Sequence, residues 1–133
     1  MSNTNKATIL YVDDDNDDCI FLKTSIEDAG NNANVICAND GEEAVQYLNS
    51  ISTDSLPSLI VLDLNMPRWD GKRTLQYLKS NPQLAEIPVV ILSTSEREKE
   101  HCRQMGAASY HIKPHHFIGY REIVASFFRV MNE

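Results

Sequence analysis

Cysteine, basic charge and long apolar runs are all scarce in this chain, and each scarcity removes a class of function. The cysteines number three, Cys19, Cys37 and Cys102. They are odd in number and show no metal-type spacing. Cys19 and Cys37 fall within apolar patterns and read as small core residues of a reducing compartment. Lysine and arginine total 12 against 19 acidic residues, a net charge of −7. With no basic field to track phosphates, that balance argues against nucleic-acid binding and against an anionic membrane surface. No apolar run approaches a membrane span, and the polar start MSNTNK lacks the apolar core of a signal peptide. The expected location is therefore the cytoplasm. Internal repeats, low-complexity tracts and a linker to a second domain are also missing from the pattern.

What is present is ordinary for a folded domain. Hydrophobic residues make up 42% and charged residues 23% of 133 positions, enough for one domain with a full core. Short apolar runs alternate with helical patterns. Strands are predicted at Ala7 to Val12, Asn34 to Cys37, Leu59 to Asp63, Pro88 to Ser93 and Ser109 to Lys113. Helices are predicted from near Asn16 to a stop at Gly30, then over Gly41 to Ser50, Gly71 to Ser80 and Glu96 to Met105. A last helix carries Phe117, Tyr120, Val124, Phe127, Phe128 and Met131 at helical spacing. Five βα repeats imply a mainly parallel sheet with helices on both faces. The nearly unbroken apolar content of the first, third and fourth strands agrees, since parallel strands are buried on both sides.

The polar residues stand at the strand ends. Asp13 and Asp14 follow the first strand, Asp63 ends the third, Ser93 the fourth and Lys113 the fifth. Open parallel sheets bind ligands beyond the carboxyl ends of their strands. Neighbouring strands are about 4.8 Å apart, so adjacent first and third strands would crowd Asp13, Asp14 and Asp63. Crowded carboxylates raise one another's pKa or demand a cation. Lys113 supplies one positive charge, and Mg²⁺ suits a site of few protein oxygens plus water and phosphate. The plainer reading of Asp13 to Asp18 is a solvated turn that caps a helix; the matched strand-end residues favour a site.

YVDDD, LDLNMPRWDG, PVVILSTS and YHIKP together resemble the signatures of response-regulator receiver domains of two-component signalling, and the resemblance runs from Thr8 to Met131. It implies a flavodoxin-like doubly wound (βα)5 sheet in the order 2-1-3-4-5. Residues 1–133 are expected to form a single domain (core about 7–131) with no output domain. It also implies roles. Asp63 matches the phospho-accepting aspartate, Asp14 the direct Mg²⁺ ligand (Mn²⁺ being an alternative ion), Asp13 an acid acting through water, and Asn65 the position whose carbonyl binds the metal. Ser93 matches the switch hydroxyl, Lys113 the family lysine, and Tyr110 the aromatic that moves on activation. The bond from Lys113 to Pro114 is usually cis in the family.

On that resemblance the chain is a stand-alone switch. Asp63 takes a phosphoryl group from a sensor histidine kinase while the metal, Lys113 and Ser93 hold the phosphoryl oxygens. Ser93 is drawn inward, Tyr110 turns, and the surface of the fourth helix, fifth strand and fifth helix is reshaped for a protein target; otherwise the group passes to a histidine phosphotransfer protein. Slow autodephosphorylation resets the state, and the chain is not an enzyme in the ordinary sense. A monomer or a phosphorylation-linked dimer is expected, although the last helix demonstrates no apolar face beyond its core stripe.

Thr94 stands where many members have Ala and would narrow access to Asp63. The polar helix Glu96 to Met105 fits either a loosely attached switching element or a solvated helix. His101, Cys102, His111, His115 and His116 make a histidine-rich region, read as surface histidines or a metal site. Trp69 reads as a partner contact or a cover for its loop. Two competing functions are a phosphorylation-independent binding module and a haloacid-dehalogenase-like phosphatase. The latter wants an acid two residues after Asp63, where Asn65 stands. Flavin binding fits poorly, because no Ser/Thr/Gly-rich phosphate loop follows the first strand.

Overall fold

A computed structural model describes residues 7–30, 33–66, 69–115 and 117–132. The strands are β1 (Ala7–Val12), β2 (Ala33–Ala38), β3 (Leu59–Asp63), β4 (Val89–Ser93) and β5 (Ser109–Ile112). The helices are α1 (Asn16–Asp28), α2 (Gly41–Ser50), α3 (Gly71–Ser80), α4 (Lys99–Gln104) and α5 (Tyr120–Met131). The five strands form one parallel sheet in the order β2-β1-β3-β4-β5. This is the flavodoxin-like arrangement.

Strand alternation divides the core in two. Leu10, Val12, Ile60, Leu62, Val89 and Ile91 face α2 and α3, where Ala44, Leu48, Leu75 and Leu78 meet them. Ile9, Tyr11, Leu59, Val61, Val90 and Leu92 face α1 and α5, against Leu22, Ile26, Val124 and Phe127. Every residue of β3 and β4 is buried, because each is central and covered on both faces. Truncating one such Leu or Ile to Ala would cost about 2–5 kcal/mol.

Helix starts are set by side-chain oxygens that satisfy free amides. Asp15 accepts from the Asp17 and Asp18 amides, Asp40 from Glu43 and Asp70 from Arg73. Gly106, which closes the α4 segment, has φ of 106°, a left-handed conformation that favours glycine. Gly71 matters for space. A Cβ there would stand 2.5 Å from the Asp63 carbonyl oxygen, so the small residue lets α3 begin directly against the end of β3.

Several expectations need correction. The fourth helix is much shorter than the polar pattern suggested, since only Lys99–Gln104 is α-helical; its one buried residue is Cys102, so little apolar contact extends it. The fifth strand stops at Ile112, with Lys113 just beyond it, and a 3-10 turn over Phe117–Gly119 precedes α5. Cys19 and Cys37 are joined as a disulfide rather than packed as two thiols. The first turn of α1 and the end of β2 bring their Cα atoms to 6.5 Å, inside the span a disulfide bridges. That proximity is tertiary and invisible in an 18-residue separation. The Lys113–Pro114 bond is trans; the two isomers of such a bond differ by only about 0.5–1 kcal/mol, so sequence leaves the choice open. Pro67, His116 and the side chain of Phe117 lie outside the described residues.

Candidate functional site

Register builds the site. Val12 pairs with Leu62, Asp63 with Leu92, and Ser93 with Ile112. Asp13 therefore emerges from β1 beside Asp63, Ser93 ends β4 one step farther along, and Lys113 follows β5 two steps farther along. The Lys113 amide donates to the Ser93 carbonyl at 2.8 Å, which fixes the start of the β5–α5 connection.

Oxygens of Asp13, Asp14 and Asp63 all lie within 4.8 Å of one another. Asp13 and Asp63 are buried and Asp14 is exposed. The Asp13 carboxylate is heavily occupied. It accepts from the Tyr11 hydroxyl at 2.6 Å, from the Lys113 ammonium at 2.9 Å and from the Asp15 amide at 2.9 Å. Asp63 accepts from the Asn65 amide at 3.1 Å. Lys113 Nζ lies 2.9 Å from Asp13, 2.9 Å from Asp18 and 3.4 Å from Asp63.

The charges are only partly balanced. Burial, then the negative charge of Asp13, push the Asp63 carboxyl up to about 6, against the pull of Lys113. Burial works in the same direction on Asp13, but its hydrogen bonds from Tyr11 and Lys113 prevail and hold it below the ordinary carboxylate range. Burial would lower Lys113, yet its bonds to Asp13 and Asp18 keep its ammonium more strongly protonated than usual. Three carboxylates facing one ammonium leave negative charge over. Hard oxygens at this spacing fit a divalent cation such as Mg²⁺ or Mn²⁺, with Asp14 and Asp63 the less encumbered donors. Among the described residues no second trio of His, Cys, Asp or Glu converges in this way.

A cleft of about 540 Å³ opens beside Asp63, lined in part by Asn65, Met66, Ser93, Ser95 and Arg97. Thr94 faces solvent between two serines that line it. Lys72 and Glu98 pair at 3.1 Å across α3 and the start of α4. The Ser93 hydroxyl accepts from the Ser95 amide at 3.2 Å, and the Tyr110 hydroxyl donates to the Ser95 carbonyl. Trp69, in the loop before α3, packs on that helix, edge-to-face with Tyr77 at 5.6 Å and under Arg73 at 4.2 Å.

Sequence reasoning missed Tyr11 and Asp18. Tyr11 reads as one more apolar residue of its strand. Asp18 reads as a helix-start acid, although its place one turn after the DDD run signals the same strand end.

The sequence model of the response regulator receiver domain matches residues 9–125. The chain belongs to this family. Receiver domains are signalling switches with an acidic metal pocket. The response regulator Rcp1 of Synechocystis is 35% identical over 95 residues, 69% of this chain and 65% of Rcp1, so the match spans just under two thirds of that relative. The phosphorylated cyanobacterial phytochrome response regulator RcpA superposes with a TM-score of 0.82 at 32% identity, covering 92% of this chain and 91% of RcpA. The Mn²⁺-bound form of Rcp1 gives 0.79 at 29% identity, with 91% of each chain covered.

Proposed function

We propose that this receiver acts as a single-domain, stand-alone switch of the cytoplasm, in which Asp63 accepts a phosphoryl group from a phosphohistidine of a sensor histidine kinase. The observation that carries this reading is the convergence of Asp63 with Asp13, Asp14 and Lys113 at one end of the sheet. One Asp63 carboxylate oxygen forms the new P–O bond as the P–N bond to imidazole breaks. The bonding pair leaves with the imidazole nitrogen, which takes its proton from solvent.

Such a transfer runs through a loose transition state, so the protein's work is alignment and charge neutralisation. Asp14, Asp63 and the Asn65 carbonyl would hold the metal, with Asp13 acting through water; bound Mg²⁺ or Mn²⁺ supplies neutralisation of phosphoryl oxygens. Lys113 offers its ammonium and Ser93 its hydroxyl to the remaining oxygens. Once Ser93 turns to the phosphoryl group, the Ser95 amide loses its acceptor. The loop that also holds Tyr110 is then free to rearrange, and the α4-β5-α5 surface changes for a protein target or a histidine phosphotransfer protein. Water attack on the acyl phosphate resets the switch. The likeness to a phytochrome response regulator favours a photosensory kinase as donor. Nucleic acid and membrane are not partners in this reading, and the protein is a monomer or a phosphorylation-linked dimer.

The test is intact mass after incubation with acetyl phosphate and Mg²⁺. One phosphoryl group is expected on the wild type and none on Asp63→Asn or after chelation. Labelling that persists in Asp63→Asn would move the acceptor elsewhere.

A further inference from the structure

The Lys113 ammonium has three N–H donors and faces three carboxylates, at 2.9 Å from Asp13, 2.9 Å from Asp18 and 3.4 Å from Asp63. The lysine thus leans toward the β1–α1 side of the cluster, away from the acceptor. We infer that Asp18 is a positioning residue, a restraint that competes with a phosphoryl group on Asp63 for the Lys113 ammonium. This rests on the reading of Asp63 as the phosphoryl acceptor.

A phosphoryl group brings new anionic oxygens on the acceptor side, where the Asp63-facing donor turns to them, and drawing the ammonium closer stretches its hydrogen bonds to Asp13 and Asp18. Asp13 is the costly one to abandon. Its side chain is 1% exposed, and losing Lys113 would leave a carboxylate buried without a counter-charge. Asp18 is 20% exposed and sits in the first turn of α1. Water and the helix N-terminus solvate its carboxylate after the lysine departs. Asp18 is therefore the partner released, and the strength of its hold on Lys113 sets how readily the ammonium reaches the acceptor.

Asp17 provides the control. It belongs to the same acidic first turn and carries the same formal charge, but it is exposed and its amide serves only the Asp15 cap. Asp17→Asn removes an equal charge without touching Lys113. With acetyl phosphate and saturating Mg²⁺, Asp18→Asn is expected to take up the phosphoryl group roughly 2- to 10-fold faster than wild type, the scale of one partly exposed charge-assisted hydrogen bond. Asp17→Asn should stay within about 2-fold, the scale of a surface charge with no direct contact. The second readout is the ¹⁵Nζ resonance of Lys113 in the metal-free, unphosphorylated protein, which should shift in Asp18→Asn and hold in Asp17→Asn. Mg²⁺ affinity should be nearly unchanged in both. Equal acceleration by the two variants would overturn the inference in favour of a general field effect. So would slower uptake in Asp18→Asn, or an unmoved Lys113 signal. A wild type that takes up no phosphoryl group on Asp63 sinks the proposed function and this inference together. Uptake by wild type with no response to Asp18→Asn sinks the inference alone.

Discussion

The Tyr110 hydroxyl donates to the Ser95 carbonyl, and the Ser95 amide in turn donates to Ser93 Oγ. One residue of the β4–α4 loop thus ties the aromatic ring of β5 to the hydroxyl at the end of β4. A movement of Ser93 toward Asp63 removes one end of that tie, and the Ser95 backbone that still accepts from the Tyr110 hydroxyl is then less firmly anchored.

Tyr110→Phe tests the tie from the other end. It keeps the ring and removes one hydrogen bond, a net loss of about 0.5–1.5 kcal/mol. Amide hydrogen exchange across residues 94–98 should quicken by roughly 2- to 10-fold in the unphosphorylated protein. The melting temperature should fall only a few degrees. Unchanged exchange would mean that the loop is held by other contacts, such as Lys72–Glu98.

Asp63 gives a prediction with a definite sign in pH. Burial and Asp13 raise its folded pKa to about 6, above the unfolded value near 3.9. Between those values the folded state binds the extra proton, so this group makes stability fall as pH rises through the window. Above pH 6 the ionised Asp63 is a standing cost. Asp63→Asn removes it and should stabilise the metal-free protein at pH 7.5 by about 1–3 kcal/mol, the gain shrinking toward pH 4. Mg²⁺ should stabilise wild type at pH 7.5 and much less at pH 5, where Asp63 is protonated. Denaturant titrations with and without the metal check both. A destabilised Asp63→Asn at pH 7.5 would show that Lys113 outweighs burial.

The parallel sheet was legible because its central strands carry unbroken apolar runs, and the acidic cluster because Asp13, Asp63 and Lys113 each stand directly at a strand end. The contact between Lys113 and Asp18 was not. It depends on the rotation of α1 about its axis, which the weak amphipathicity of NDDCIFLKTSIED fixes poorly. Helix α4 was overdrawn for a related reason. KEHCRQ buries Cys102 alone, so its extent is set by loop geometry and by the Glu98 contacts rather than by an apolar stripe. Tyr11 was hidden because a strand residue with a hydroxyl looks like any other aromatic until its partner is placed.

The Cys19–Cys37 disulfide is checked by counting thiols. Unfolded without reductant, the chain should label at one cysteine, Cys102, and after reduction at all three. Three labelled thiols without reductant would restore the pair of separate core residues that the sequence suggested.

The last prediction concerns the buried hydroxyl of Tyr11, which donates to Asp13 Oδ2 at 2.6 Å. Removing it by Tyr11→Phe leaves the buried Asp13 carboxylate with one donor fewer. A hydrogen bond to a buried charged group is worth about 1.5–3 kcal/mol, so a loss of that size is expected at pH 7. The sign in pH follows from Asp13. Burial pushes its carboxyl up, but the bonds from Tyr11 and Lys113 prevail and depress its folded pKa. A depressed acid stabilises the fold above its unfolded pKa, and that contribution is lost as pH falls through the folded value. The deficit of Tyr11→Phe should therefore be largest near neutrality and narrow on acidification below about pH 4. Mg²⁺ at pH 7 should narrow it too, since a cation on the cluster takes over part of the missing neutralisation. Denaturation at pH 7 with and without Mg²⁺, and again at pH 3.5, separates this from packing. A deficit that ignores both pH and metal would mean that the hydroxyl fills space and does not hold the charge of Asp13.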